Sequence, residues 1–271
     1  MTEQMIVHLL VLVVAGLVAG FAGGLFGIGG GAILVPTFLS LFPLMGVGQE
    51  VVMHSAVGTC LALVVPAAIM ATKTQHKLGN LEAHMLKTWI PWILLGTVAG
   101  TLTIQLLRTH DLKVLFTLYL FTSAIYVALK GASETGDEGE PPTVAKAGGG
   151  FVIGMLSVWL GLGGGTFAVP YLRAFHYPIK KSIAIASATG LVIGLGGAIG
   201  AAVHGWGEPG LAKFSLGYIN LLAFVMIAPL VMTFAPLGSR VASKAPDRVL
   251  KWIYVALLVV ISSYMAYRTF F

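Results

Sequence analysis

One stretch of this chain occurs twice, each time directly after an apolar run. The first copy reads LFGIGGGAILVP from Leu25 to Pro36, the second LGLGGGTFAVP from Leu160 to Pro170. Each holds a triple glycine, Gly29-Gly30-Gly31 and Gly163-Gly164-Gly165, with another Gly two positions ahead (Gly27, Gly161) and a Pro five positions beyond (Pro36, Pro170). Residues without a Cβ tolerate unwound backbone and let a second segment approach closely. The apolar residues that follow, Ala32 to Leu41 and Thr166 to Phe175, can restart a helix. The expectation is two broken helices, each presenting free N–H groups at a fresh N-terminus, where the dipole and the open donors favour an anion. Paired interrupted apolar segments in corresponding halves point to a transporter's binding site. Close packing by small residues accounts for either copy alone. It does not account for triplet and Pro recurring together.

Gly27, Gly29 and Ala32 also fit the dinucleotide pattern G-x-G-x-x-A, with Glu50 about the right distance on. That pattern needs a short strand before it and a soluble parallel sheet around it. Here a long apolar helix precedes it. Only 10% of the 271 residues are charged, 57% are hydrophobic, and the mean hydropathy is +0.93. A soluble domain carries about a quarter charged residues. The chain is therefore expected to be an all-α integral membrane protein, since its apolar stretches suit helices rather than the short alternating strands of a barrel. The start, MTEQMIVHLL, has no Lys or Arg and is read as a retained first span. The single Cys60 allows no intrachain disulfide.

The apolar runs are Met5–Phe21, the first broken segment to Pro43, Val51–Thr72, Thr88–Leu107 and Val114–Leu129. A hydrophilic stretch, GASETGDEGEPPTVAKAGGG, follows and reads as a linker. The plan then repeats: Phe151–Leu160 with the glycines before it, the second broken segment to Phe175, Ser182–Val203, Phe214–Phe234 and Val249–Tyr267. This divides the chain into a first membrane repeat (1–130), a linker (131–146) and a second repeat (147–271), with about 8–10 crossings in all. With each broken segment counted as a short crossing, five crossings per half force the halves into opposite orientations. Re-entrant broken segments would leave four and remove the inversion. Charge tests this. The loops Lys73–Lys87, Lys130–Lys146, Arg173–Lys181 and Arg240–Lys251 hold twelve of the sixteen Lys and Arg residues. On the positive-inside rule they face the cytoplasm, with both termini outside. The same loops explain the net charge of +6 without a nucleic-acid partner.

Small polar residues fall early in the span after each broken segment, Ser55 and Thr59 in HSAVGTC and Ser187 and Thr189 in AIASATG. Their hydroxyls can donate to an anion held between the triplets, or bond back to the carbonyl four residues earlier. His54 is ionisable near a span end and suits a proton carrier or an interfacial residue facing water. No span carries a central Asp, Glu, Lys or Arg. Backbone donors at Gly29, Gly30, Gly31 and Ala32, and at Gly163, Gly164, Gly165 and Thr166, would supply most of the attraction. The His and Cys spacings match no structural zinc site, and nothing pairs a nucleophile with a base. No cofactor, metal or enzymatic activity is expected.

At these residues the chain resembles the sulfite exporter TauE/SafE family, through GIGGGAILVP and GLGGGTFAVP, the small polar span after each, LGN at Leu78–Asn80 and LGYIN at Leu216–Asn220. The resemblance covers nearly the whole length. It implies a multi-pass carrier in a bacterial or archaeal inner membrane that moves small anions, mainly sulfite, sulfoacetate and related organosulfonates, with protons as coupling ion. Its partners would be that substrate, membrane lipid and, in a homo-oligomer, further copies. Cys60 stands where a Ser often follows the Thr in that family. An anion channel built on the same half-helix ends is the alternative.

Overall fold

In a hydrocarbon layer every backbone N–H and C=O must find an internal partner, which leaves uninterrupted apolar runs no choice but helix. The computed structural model describes residues 3–129 and 139–270, with side chains from residue 10 onward. Ten α-helices run through it: α1 (Glu3–Phe26), α2 (Gly31–Leu41), α3 (Val52–Lys77), α4 (Ala83–Thr103), α5 (Thr109–Leu129), α6 (Thr143–Leu160), α7 (Gly165–Ala174), α8 (Ile179–His204), α9 (Leu221–Lys244) and α10 (Asp247–Phe270). The strands described are a two-residue hairpin, β1 (Ser215–Leu216) and β2 (Ile219–Asn220). Among the described residues seven helices are long and apolar enough to span a bilayer: α3, α4, α5, α6, α8, α9 and α10. The chain is an all-α, multi-pass membrane protein. Residues 131–138 of the expected linker lie outside the described residues.

Glycines let the helix axes close up, and their neighbours give each helix its direction. Gly16, Gly20 and Gly24 of α1 face Leu230, Val231 and Ala235 in turn, so α1 and α9 are parallel. Gly96 and Gly100 of α4 face Phe151 and Met155, so α4 and α6 are parallel too. Gly58 of α3 meets Ala201, while Gly194 and Gly190 of α8 meet Leu61 and Val64. Helices α3 and α8 are therefore antiparallel. So are α5 and α10, where Lys251 Nζ donates to the Ala128 carbonyl (3.0 Å) near one end and Arg268 lies within electrostatic reach of Lys113 near the other. The third and the fifth helix of the first half thus run against their counterparts in the second.

The broken segments behave differently from a simple crossing. Helix α1 ends level with Gly238 of α9, which runs on to Lys244, so α1 stops about 9 Å short of the end of α9 at 1.5 Å per residue. The chain then turns back. Gly30 lies against Ala19 of α1, and Ser40 at the far end of α2 reaches Tyr264 near the end of α10. With eleven residues α2 is about 16 Å long, half a hydrocarbon core. Helices α1 and α2 thus leave and return to one face together. The odd number of helices that remain, α3 to α5, still carries the chain across. Opposite orientation therefore does not depend on treating α2 as a crossing, contrary to the parity count made from sequence.

Loops 78–82, 139–142, 175–178 and 245–246 gather at one face, where Glu82 pairs with Lys181 (2.8 Å) and Glu140 with His84 (3.4 Å) and Lys146 (2.6 Å). These are the four basic loops. At the opposite face the Gly48 N–H donates to the Gly210 carbonyl (2.7 Å) and the Thr109 hydroxyl to the Glu50 carbonyl. Helix α9 begins seven residues later than the apolar run suggests. The hairpin takes up Ser215 to Asn220, and the Asn220 side chain caps the helix by accepting the Ala223 N–H (3.0 Å).

Candidate functional site

The two triplets meet at mid-depth. Gly29 lies against Val64, the thirteenth of the 26 residues of α3, and Gly164 beside Gly190, the twelfth of the 26 of α8. They are joined by their backbones: the Gly163 N–H donates to the Ile28 carbonyl and the Gly165 N–H to the Gly27 carbonyl, both at 3.1 Å. A Cβ on Gly163 would stand 2.5 Å from the Ile28 oxygen, so the approach requires glycine. The breaks are not alike. In the first, Gly27, Gly29 and Gly30 all have left-handed backbone, φ 71°, 67° and 80°; in the second, only Gly161 does, φ 66°.

This junction changes which donors are open to a ligand. Two N–H groups assigned to an anion from sequence, those of Gly163 and Gly165, are held by carbonyls of the other copy, and that of Thr166 turns back to Gly163 (3.3 Å). The Gly164 N–H makes no such bond. In α2 the ladder starts with Ile33 and Leu34, both donating to the Gly30 carbonyl at 3.1 Å. The helix itself therefore leaves the N–H groups of Gly31 and Ala32 at its positive end.

Of the polar side chains, Ser187 and Thr189 lie at the junction. Ser187 lines a crevice of about 210 Å³ with Gly23, Gly27, Gly29 and Gly190, and its hydroxyl donates to the Ile183 carbonyl (2.9 Å). A Cβ on Gly164 would come 2.6 Å from the Thr189 oxygen, whose hydroxyl bonds to Ala186 (3.1 Å). Thr59 is fully engaged elsewhere: it donates to the Ser55 carbonyl (2.7 Å) and accepts the Asn220 N–H (2.9 Å), fastening α3 to the start of α9. Ser55 is buried, and its hydroxyl has no partner among the described residues. His54 stands apart from the triplets, in a second crevice with Thr101, His204 and Tyr218, its ring 5.3 Å from that of Tyr218.

Sequence reasoning missed three residues. Gly27 faces Ala186 and Ser187 while its mate in the second copy, Gly161, faces Val57, which sets Thr59 of α3 against Thr189 of α8. Ser182 is fully buried and, like Ser55, carries a hydroxyl without a partner among the described residues. The signal was there in Ser182 itself, a hydroxyl at the start of the run Ser182–Val203. Tyr119 of α5 and Tyr254 of α10 both aim at the first turn of α7, donating to the Thr166 carbonyl at 2.6 and 3.4 Å. The Thr166 hydroxyl itself is buried and has no partner among the described residues.

The arrangement is an anion-sized junction of glycine backbone and hydroxyls, with no acidic or basic side chain lining its crevice. No group of His, Cys, Asp and Glu fit to hold a metal occurs among the described residues. Comparison with known proteins agrees on the class. A probable membrane transporter protein of Haemophilus influenzae is 32% identical over 259 residues, covering 95% of this chain and 98% of that protein. A probable membrane transporter protein of Methanocaldococcus jannaschii is 28% identical over 269 residues, with 94% of each chain covered. Another in Bacillus subtilis is 24% identical over 280 residues, covering 96% of this chain and 98% of the relative. No solved structure matches. The sulfite exporter TauE/SafE family model matches residues 12–265, and with so nearly complete a match the chain belongs to that family of membrane transporters.

Proposed function

We propose that the chain is a secondary transporter of small sulfur-containing anions, sulfite, sulfoacetate or a related organosulfonate, working by alternating access between two halves that form an inverted repeat. The observation that carries this is the meeting of two half-helix N-termini at the middle of α3 and α8, beside a crevice without a fixed cation. Backbone N–H groups at Gly31, Ala32 and Gly164 attract the anion, and the hydroxyls of Ser187, Thr189 and Thr166 complete its shell. Residues 1–130 and 147–271 are the repeats and 131–146 the linker. The face with the four basic loops is cytoplasmic in the cell membrane of a bacterium or archaeon, and both termini are periplasmic. Protons are the coupling ion, with His54 their candidate carrier. Flux of sulfite and sulfoacetate into proteoliposomes, with and without a pH gradient, tests the reading. Saturable flux that the gradient accelerates is expected. Flux that rises linearly with concentration and ignores the gradient would make the protein an anion channel.

A further inference from the structure

An apolar cleft lies away from the triplets, between α5, α7, α8 and α10. It holds about 800 Å³ of empty space counting its open mouth, of which about 80 Å³ is room for a water-sized body. Val127, Val169, Pro170, Ile179, Ile183 and Leu250 form its walls. Its floor is Phe26 against Tyr254, ring centres 5.0 Å apart, and Tyr254 reaches the Thr166 carbonyl on the first turn of α7. The floor of the cleft is therefore one side chain from the junction. Arg173, Lys251 and His176 stand around the mouth, with Asp247 as the one acid.

The end of α2 is fastened to α10. There Ser40 and the Tyr264 hydroxyl are 2.6 Å apart, and Arg268 donates to the Leu39 carbonyl (3.3 Å). Eight of the eleven residues of α2 are buried, against five of the ten of α7. The cleft opens toward the face with the basic loops; at the other face a wider opening of about 1020 Å³, counting its mouth, lies between Glu50, Arg108, His110, Lys113 and Thr269.

We propose that this cleft is the mouth through which an organic anion with a short apolar body reaches the triplets, and that Arg173 and Lys251 capture its charged head; this rests on the transport reading above. A bare inorganic anion gains nothing from these apolar walls beyond the pull of the two cations at the mouth. An anion with an alkyl body gains from the same walls, while two cations against one acid concentrate negative solutes at the mouth. The occupant is a dissolved organic anion rather than a lipid.

The test uses thiol-specific reagents of equal reach, one ending in a sulfonate and one in a trimethylammonium, on Val169→Cys in full-length protein carrying Cys60→Ala. Cys60 is the one native cysteine and is buried. In neutral detergent, with each rate taken relative to that reagent's rate with a free thiol in solution, the sulfonate reagent should be about tenfold favoured over the cationic one. Arg173→Gln with Lys251→Gln should bring the ratio near one, and 1-butanesulfonate should slow labelling where added phosphatidylglycerol does not. Equal relative rates for the two reagents overturn the proposal, as does protection by phosphatidylglycerol alone. The labelled protein is then compared with the same protein before labelling for sulfoacetate flux in proteoliposomes. Lost flux supports the mouth; unchanged flux overturns it and leaves the transport reading standing. If the Cys60→Ala protein moves no anion at all, the transport reading falls, and the charge selectivity of labelling still decides whether the cleft takes organic anions.

Discussion

Gly164→Ala and Gly30→Ala look equivalent in the repeated motif, yet the structure expects them to fail differently. Gly30 has φ 80° and ψ −8°, and a Cβ there would stand 2.8 Å from the Ala19 carbonyl oxygen, backbone that cannot swing away. The left-handed conformation costs a residue with a Cβ about 1–2 kcal/mol, and forced packing about 1–3 more. Gly164 has φ −51° and ψ −27°, ordinary helical values, and its added methyl meets the Thr189 hydroxyl at 2.6 Å. Gly164 is the N-cap of α7, outside the helix itself, so Ala returns nothing there as a helix former; turning Thr189 aside loses its bond to Ala186, about 1 kcal/mol. The cost of Gly164→Ala is therefore about 1 kcal/mol. Thermal unfolding in detergent should therefore drop by roughly 5–15 °C for Gly30→Ala and by a few degrees at most for Gly164→Ala. Sulfite and sulfoacetate flux should nonetheless fall at least about tenfold in Gly164→Ala, a loss of about 1.4 kcal/mol, because the methyl crowds the one N–H of its triplet left open across the junction. Thr189→Ala added to Gly164→Ala removes the clash and should recover part of the flux. A Gly164→Ala protein that transports like the parent, or that melts as low as Gly30→Ala, refutes the reasoning.

Thr59→Val should lower stability by about 1–3 kcal/mol, since the buried Asn220 N–H loses its acceptor, while anion affinity stays unchanged; calorimetric binding to the folded variant checks the second half. Ser182→Ala and Ser55→Ala remove hydroxyls without partners, so unfolding midpoints should hardly move; a loss of several degrees in either would reveal a bonded hydroxyl. Tyr264→Phe with Arg268→Gln removes the fastening of α2 to α10 and should speed thiol labelling of Leu39→Cys from the termini-bearing face, an unaltered rate counting against a gate there. In intact cells Trp206→Cys should react with an impermeant reagent and Lys180→Cys should not, both side chains being exposed; the reverse pattern would invert the proposed orientation.

What could be read from the sequence followed from demands that a single segment meets alone. An apolar run must be a helix in a bilayer, so α3 to α5 and α8 to α10 stand where the runs place them, with shifted ends. The four basic loops came to one face because sidedness leaves its mark in Lys and Arg counts. What stayed hidden were pairings between segments far apart in sequence. Nothing in GIGGG or GLGGG announces that the Gly163 and Gly165 N–H groups are taken by Ile28 and Gly27. That bonding withdraws donors that each half-helix, considered alone, would offer. The same holds for the hydroxyls: Thr59 and Thr189 occupy matching places, yet Thr59 is bonded to the Asn220 N–H while Thr189 lies beside Gly164. Thr59 fell to a hairpin that no periodicity predicts, because two residues per strand leave no alternation to detect.

Near-symmetry and its local breakdown belong to one physical argument. Helices α3 and α8 cross at mid-depth, and the pairs α1–α9 and α6–α4 repeat the same parallel packing through glycines at matching positions. On the transport reading proposed above, two such halves would have two arrangements of similar energy that differ in which half-helix is tightly held. In this structure the held one is α2, by Ser40 with Tyr264 and by Arg268 with Leu39. Helix α7 ends in Ala174, and Tyr171 ties it to the first turn of α6 through the Ala145 carbonyl (2.5 Å). Three left-handed glycines in the first break against one in the second show that two breaks alike in sequence take different backbones, a freedom that residues without a Cβ allow.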